Sequence, residues 1–266
     1  MTMNKLLVAG LLSALTLAPA RAATSFDDML MSVGSSRATA YVQPLADAAT
    51  LLAGGGAFHG ARSKGVAGFD LGVKLLVLPV ASGSPAVGTI LDQTDVSAVG
   101  LPMVVANKGL IKGLQVGARY MSLEFNKDVG QLSMVGASLR FELNELFHVP
   151  ILMPRIGVQG DWNQLKIGES LTTTATGLDL IVSKSFIFIE PYAGVSLLTG
   201  KSDLVYTYTS DGMADVTGRV NTSLDSKATR LAAGVNITPF PLLRINAEYA
   251  MADYNTMTVG VLLNLF

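Results

Sequence analysis

The 266 residues include no cysteine. That excludes disulfides, thiol catalysis and cysteine-bound metals, and also a lipid anchor built on a cysteine. Charge is scarce: Asp, Glu, Lys and Arg make up 15% of the chain, where a soluble domain carries about 25%. The net charge of −1 leaves no basic excess, so nucleic acid is not an expected partner. No apolar run is long enough for a membrane helix, which takes about 20 residues. Histidine is limited to His59 and His148, and tryptophan to Trp162. What the chain has in quantity is glycine, 27 residues, and apolar side chains, 50%.

The start, "MTMNKLLVAGLLSALTLAPARAA", sets Lys5 before an apolar stretch from Leu6 to Leu17 and a small-residue site at Ala20-Arg21-Ala22. This is the layout of a secretory signal peptide, cleaved after Ala22. The expected organisation is a leader over 1–22, a helical segment over 23–50 and one domain over 51–266. Within the helical segment, Ala38, Tyr41, Val42, Leu45, Ala46 and Ala49 share one helix face. Ser35 or Ser36 is the expected cap, and Pro44 the expected kink. The following "LLAGGGAFHGAR" is too glycine-rich for a helix and is read as a first strand.

From there the apolar period is two. Phe69, Leu71, Val73, Leu75 and Val77 alternate with polar or small residues, and so do Leu114, Val116, Ala118 and Tyr120. The pattern repeats near residues 135–141, 156–162, 178–182, 191–197, 231–237, 243–251 and 257–265. Alternation alone fits either a soluble sandwich or a barrel. These strands run about ten to twelve residues, long enough to cross a bilayer at a tilt, whereas soluble strands average about five to six. The expected fold is therefore all-β: an antiparallel up-and-down transmembrane barrel of about ten strands, with eight to twelve as the range. The N-terminal helix is expected in the lumen or under its periplasmic mouth.

Short connectors face the periplasm in such barrels and long loops face outward. That makes residues 200–226 a surface loop, with a hairpin as one form of it. It also sets Phe69, Tyr120 and Trp162 near the outer rim and Phe141 near the inner one. Residues 82–109 are long for a turn and either enter the lumen or hide two short strands. The chain ends on an apolar strand, and its terminal Phe266 resembles the signal read by the barrel-assembly machinery. Outer-membrane lipid and that machinery are the expected partners.

"YVQPLADAATLLAGGGAFHGARSKGVAGFDLGVKLLVLPV" and "FIFIEPYAGVSLLTGKSDLVYTY" resemble a family of exported bacterial proteins of unknown function, taken to be outer-membrane barrels. The resemblance implies a barrel in the outer membrane of a Gram-negative bacterium and supplies no activity or site residues.

Candidate chemistry is sparse. His59, placed near the outer end of the presumed first strand, has no partner set for nucleophilic or acid–base catalysis, so an enzyme is not expected. Gly54–Gly56 lacks the Lys and Ser/Thr of a phosphate loop, and no acidic run has calcium-loop spacing. No cofactor or metal is expected. The informative set is ionic. By strand phase, Lys74, Arg119, Arg140, Arg155, Arg230 and Arg244 point into the lumen with Asp70, Glu142, Asp161, Asp179, Glu190 and Glu248. Six charges of each sign suit mutual pairing in a narrow interior, or a polar track for a small solute. The expected function is passive or gated transport of a small or hydrophobic solute through a mostly occluded lumen. The alternative is a structural or adhesive barrel whose loop near 200–226 binds an external partner.

Overall fold

A computed structural model describes residues 38–79, 98–111, 113–124, 131–147, 153–209 and 217–265. The leader, Ser35, Ser36, His148 and Phe266 lie outside the described residues. Ten strands follow one another round a closed antiparallel barrel: β1 Phe69–Pro79, β2 Ala98–Ile111, β3 Leu114–Glu124, β4 Gln131–Glu142, β5 Arg155–Ile167, β6 Leu171–Ser183, β7 Ile189–Thr209, β8 Thr217–Phe240, β9 Leu243–Met251 and β10 Thr256–Leu265. β10 closes on β1, with Phe69 opposite Leu265 and Val77 opposite Met257. Two helices accompany the strands: α1, Ala38–Gly54, and α2, Leu143–Phe147, between β4 and β5.

Every strand obeys the period of two. Leu71, Val73, Val104, Tyr120, Leu139, Trp162, Leu180, Leu197, Leu231, Tyr249, Val259 and Leu263 stand exposed on the outside. A continuous apolar belt on a closed wall is the surface that lipid requires. A barrel leaves no strand edge unpaired inside the bilayer. We call the end carrying Phe69 and Leu265 the terminal end, and the opposite end the hairpin end. At the hairpin end β7 and β8 project: they pair as far as Thr209 with Thr217, while β6 runs out at Leu171, opposite Leu204, and β9 at Met251, opposite Leu231.

The barrel is filled. Val42, Leu45, Ala46, Ala48, Ala49, Leu51, Leu52 and Ala53 of α1 are all buried, and a helix buried all round has neighbours on every side. Those neighbours are inward side chains of the hairpin half, among them Leu76, Leu101, Met103, Met134, Leu198, Leu204 and Leu224. The leading end of the helix lies by β8, where Gln43 Nε2 donates to Asp225 O at 3.0 Å. Its trailing end is deeper in the barrel. Gly56, at φ 68°, turns the chain out of the helix in the left-handed region. Residues 55–68 then run to the terminal end, where β1 begins.

Several expectations need correction. Residues 51–62 are the last turn of α1 and the coil after it, not a strand; small Ala and Gly side chains there allow close approach to the wall. The tenth strand is β2, Ala98–Ile111, one long strand over the second part of 82–109; residues 82–97 lie outside the described residues. Because β1 is therefore the first strand, Phe69 lies at the terminal end with Phe141, not at the opposite rim with Tyr120. Residues 200–226 take the hairpin form of the expected loop. Most of the segment is the paired hairpin of β7 and β8, with 210–216 outside the described residues. Pro44 lies inside α1, and the helix occupies the lumen itself rather than its mouth.

Candidate functional site: the polar half of the lumen

The twelve charged residues singled out from the sequence gather round the coil 55–68, in the half of the barrel nearer the terminal end. Asp70, Lys74, Arg119, Arg140, Glu142, Asp161, Asp179, Arg230 and Glu248 are buried. Arg155, Glu190 and Arg244 are partly so. Charges taken this far from water persist only when paired or hydrogen-bonded, and the partners are specific.

Cations meet the carbonyls at the end of α1. Arg230 Nη1 donates to Gly54 O at 3.1 Å, Arg119 Nη1 donates to Gly55 O, and Lys74 Nζ donates to Gly56 O at 2.8 Å and Phe58 O at 2.7 Å. The last turn of α1 carries no basic residue of its own. The wall supplies the positive charge that a helix C-terminus favours and satisfies carbonyls the helix leaves open. Arg230 also stacks over Phe58, 4.6 Å from the ring centroid, and pairs with Glu248 at 2.8 Å. Glu248 in turn accepts from Tyr192 Oη at 3.0 Å.

Acceptors meet the amides further along. Ser63 N donates to Glu142 Oε2 at 2.8 Å, Ala61 N to Ser183 Oγ at 3.1 Å and Lys64 N to Gln115 Oε1 at 3.0 Å. Asn236 Nδ2 donates to His59 O at 2.9 Å. Glu142 is paired with Arg155, Arg119 with Asp161 at 3.7 Å, and Asp70 with Lys64 at 3.1 Å and Arg244 at 3.9 Å. Asp179 accepts from Gln159 and Ser196, and Glu190 from Ser183. The inner wall thus holds the coil through its backbone.

His59 is not at the outer rim. It is buried in this half, where its Nε2 accepts from Arg140 Nη1 at 2.9 Å and from Gln115 Nε2 at 3.2 Å. Burial, and then the positive charge of Arg140, push its pKa well below the usual histidine value. Both donors thus hold the imidazole as an acceptor. No cluster of metal-ligating side chains occurs among the described residues.

Tyr192, Gln115, Gln159, Asn163, Asn236 and Asn246, polar-face residues outside the charged set, complete the network. Each lies in phase with the charged residues of its strand, so phase alone was enough to find them. Lys64, on the coil, carries no such signal.

A model described as a family of unknown function, DUF6588, matches residues 85–265. The chain belongs to this family. No curated protein matches it. Among solved structures it is similar to the N-terminal β-barrel domain of Pseudomonas aeruginosa OprF, with 10% identity over 76% of this chain and 100% of that one and a TM-score of 0.31. It is similar to OmpT, an outer membrane protein of Vibrio cholerae, at 14% identity over 62% of this chain and 55% of that one, TM-score 0.32. It is also similar to Neisserial surface protein A, at 9% identity over 74% and 96%, TM-score 0.29. Similarities this weak carry no argument about activity. The closed wall and its apolar belt are what make the family member an outer-membrane β-barrel protein.

Proposed function

We propose that this is a non-enzymatic, permanently stoppered barrel that works at the cell surface through the β7–β8 hairpin, after export by the 1–22 leader and assembly guided by Phe266. The observation that carries the reading is the contrast between hairpin and lumen. Beyond Val205, whose N donates to Ser170 O at 2.8 Å, the strands of the hairpin pair only with each other. Its outward residues on β8, Ser223, Asp225, Lys227 and Thr229, are exposed and polar where the belt has ended, so this part of the wall stands in water. Residues 217–230 of β8 have no β9 partner, which leaves backbone groups open to a partner strand. The longer connections lie at the same end, the outward one by the usual rule. The lumen, by contrast, has an apolar core in one half and a bonded coil in the other.

Removing residues 205–221 tests this: adhesion of intact cells to a host or neighbouring-cell surface drops, while heat-modifiable mobility shows the barrel unchanged. Undiminished adhesion sinks the reading. A second reading, gated passage of a small solute, is favoured by the wide mouth at the terminal end. It requires helix and coil to leave, so the folded chain is silent in a planar bilayer and conducts once residues 38–66 are deleted. Steady conductance steps from the intact chain contradict the stoppered barrel.

A further inference from the structure

The mouth at the terminal end is a cavity of about 540 Å³, within the ~300–1,000 Å³ typical of small-molecule sites. Its lining includes His59, Arg62, Ser63, Lys64, Glu190 and Arg244. A second cavity of about 280 Å³ shares Arg62 and adds Arg155 and Lys184. The charges do not balance. Lys64 Nζ and Arg244 Nη1 both lean on the same oxygen of Asp70, at 3.1 and 3.9 Å, so one carboxylate faces two cations. Arg244 Nε is buried without a hydrogen-bond partner. Arg62 is exposed and forms no ion pair among the described residues. Glu190, the other acid of the mouth, is engaged by Ser183. Lys64 is pulled below the ordinary lysine value, first by burial and then by the charge of Arg244, against the opposing pull of Asp70.

We propose that this mouth binds a small oxyanion, a phosphate or carboxylate group, between Arg62, Lys64 and Arg244. An Arg guanidinium presents paired donors to such a group, and a Lys ammonium adds a point charge. The site rests on the cavity and its charges and is independent of the hairpin reading.

The test is calorimetric titration of the full chain, refolded in zwitterionic detergent, with inorganic phosphate, and with acetate as the carboxylate arm, against chloride at equal ionic strength. The expected result is a saturable isotherm for either oxyanion and none for chloride. Arg62→Gln and Arg244→Gln each weaken it at least ten-fold, and Lys201→Gln, on the outer face of the hairpin, leaves it unchanged. Arg62 is exposed, so its variant decides the matter if Arg244→Gln does not refold. Absence of saturable heat with both oxyanions, or full affinity in Arg62→Gln, overturns the proposal. Added anionic phospholipid competes if the natural anion is a lipid headgroup and has no effect if it is soluble; both presuppose the site.

Discussion

The two halves of the lumen solve one problem with opposite chemistry. In the hairpin half, a helix built of Ala, Leu and Val meets inward Leu and Met of the wall, and stability comes from area withdrawn from water. In the terminal half, a coil with no repeating structure exposes carbonyls and amides that must all be answered, and the wall answers with Arg, Lys, Glu, Asn and Gln. A helix satisfies its own backbone and can be wrapped in hydrocarbon; a coil cannot. The polarity of each half follows from the conformation of the segment inside it. Charge in the lumen of this barrel is therefore first a means of holding backbone.

The comparison can be broken most severely from the apolar side. Ala49→Asp places an unpaired carboxylate where exposure is 1%; the expected cost is more than about 4 kcal/mol, seen as loss of the heat-modifiable folded band. A folded, stable variant shows that the helix is not held where described. In the polar half, Glu248→Ala strands buried Arg230 and is expected to cost about 3–5 kcal/mol in urea unfolding, whereas the double change of Arg230→Met with Glu248→Leu recovers most of it. Equal losses in the single and double variants contradict the pairing. Gly200→Ala sharpens the fit of helix to wall, because its methyl group collides with Thr50; overpacking of this kind costs about 1–3 kcal/mol.

The pH dependence separates the halves more gently. His59 has a lowered pKa in the folded state, so the folded chain binds fewer protons than the unfolded one below the ordinary value of about 6.5. Stability from this group is complete above that pH and declines as pH falls through it. His59→Gln is expected to remove that portion of the decline, and an unchanged profile places the titration elsewhere. Lys227→Gln, on the outer face of the hairpin, should shift stability by no more than about 0.5 kcal/mol.

Much of the wall was legible because lipid outside and polar groups inside enforce strict alternation. β2 was not: Pro102, Val104 and Ala106 face outward, and Leu101, Met103 and Val105 face inward against α1. A strand with lipid on one side and an apolar helix on the other has no alternation to read. The glycine-rich stretch mistaken for a strand took its place, so the count of ten came from two errors that cancelled. The charged residues were legible one by one from strand phase. Their partners were not, since they belong to the backbone of a coil without a pattern, and backbone groups leave no mark in a sequence. The apolar filling of the hairpin half was hidden in the same way: Leu198, Leu204 and Leu224 sit on the face otherwise given to polar residues.

One feature of the chain path bears on assembly. α1 starts beside Asp225 at one mouth, and the coil after it leaves by the other to begin β1. The polypeptide is threaded through its own ring like an axle through a wheel. A ring closed beforehand would have to admit a strung chain end-first, so the simpler order is for the wall to wrap around the axle. The last seam is then β1 against β10, joining the strand nearest the axle to the strand at the far end of the chain. Once that seam is made, the axle stays tethered through Phe69. A single cut within residues 55–68 would turn a tethered axle into a separate peptide held only by its contacts with the wall.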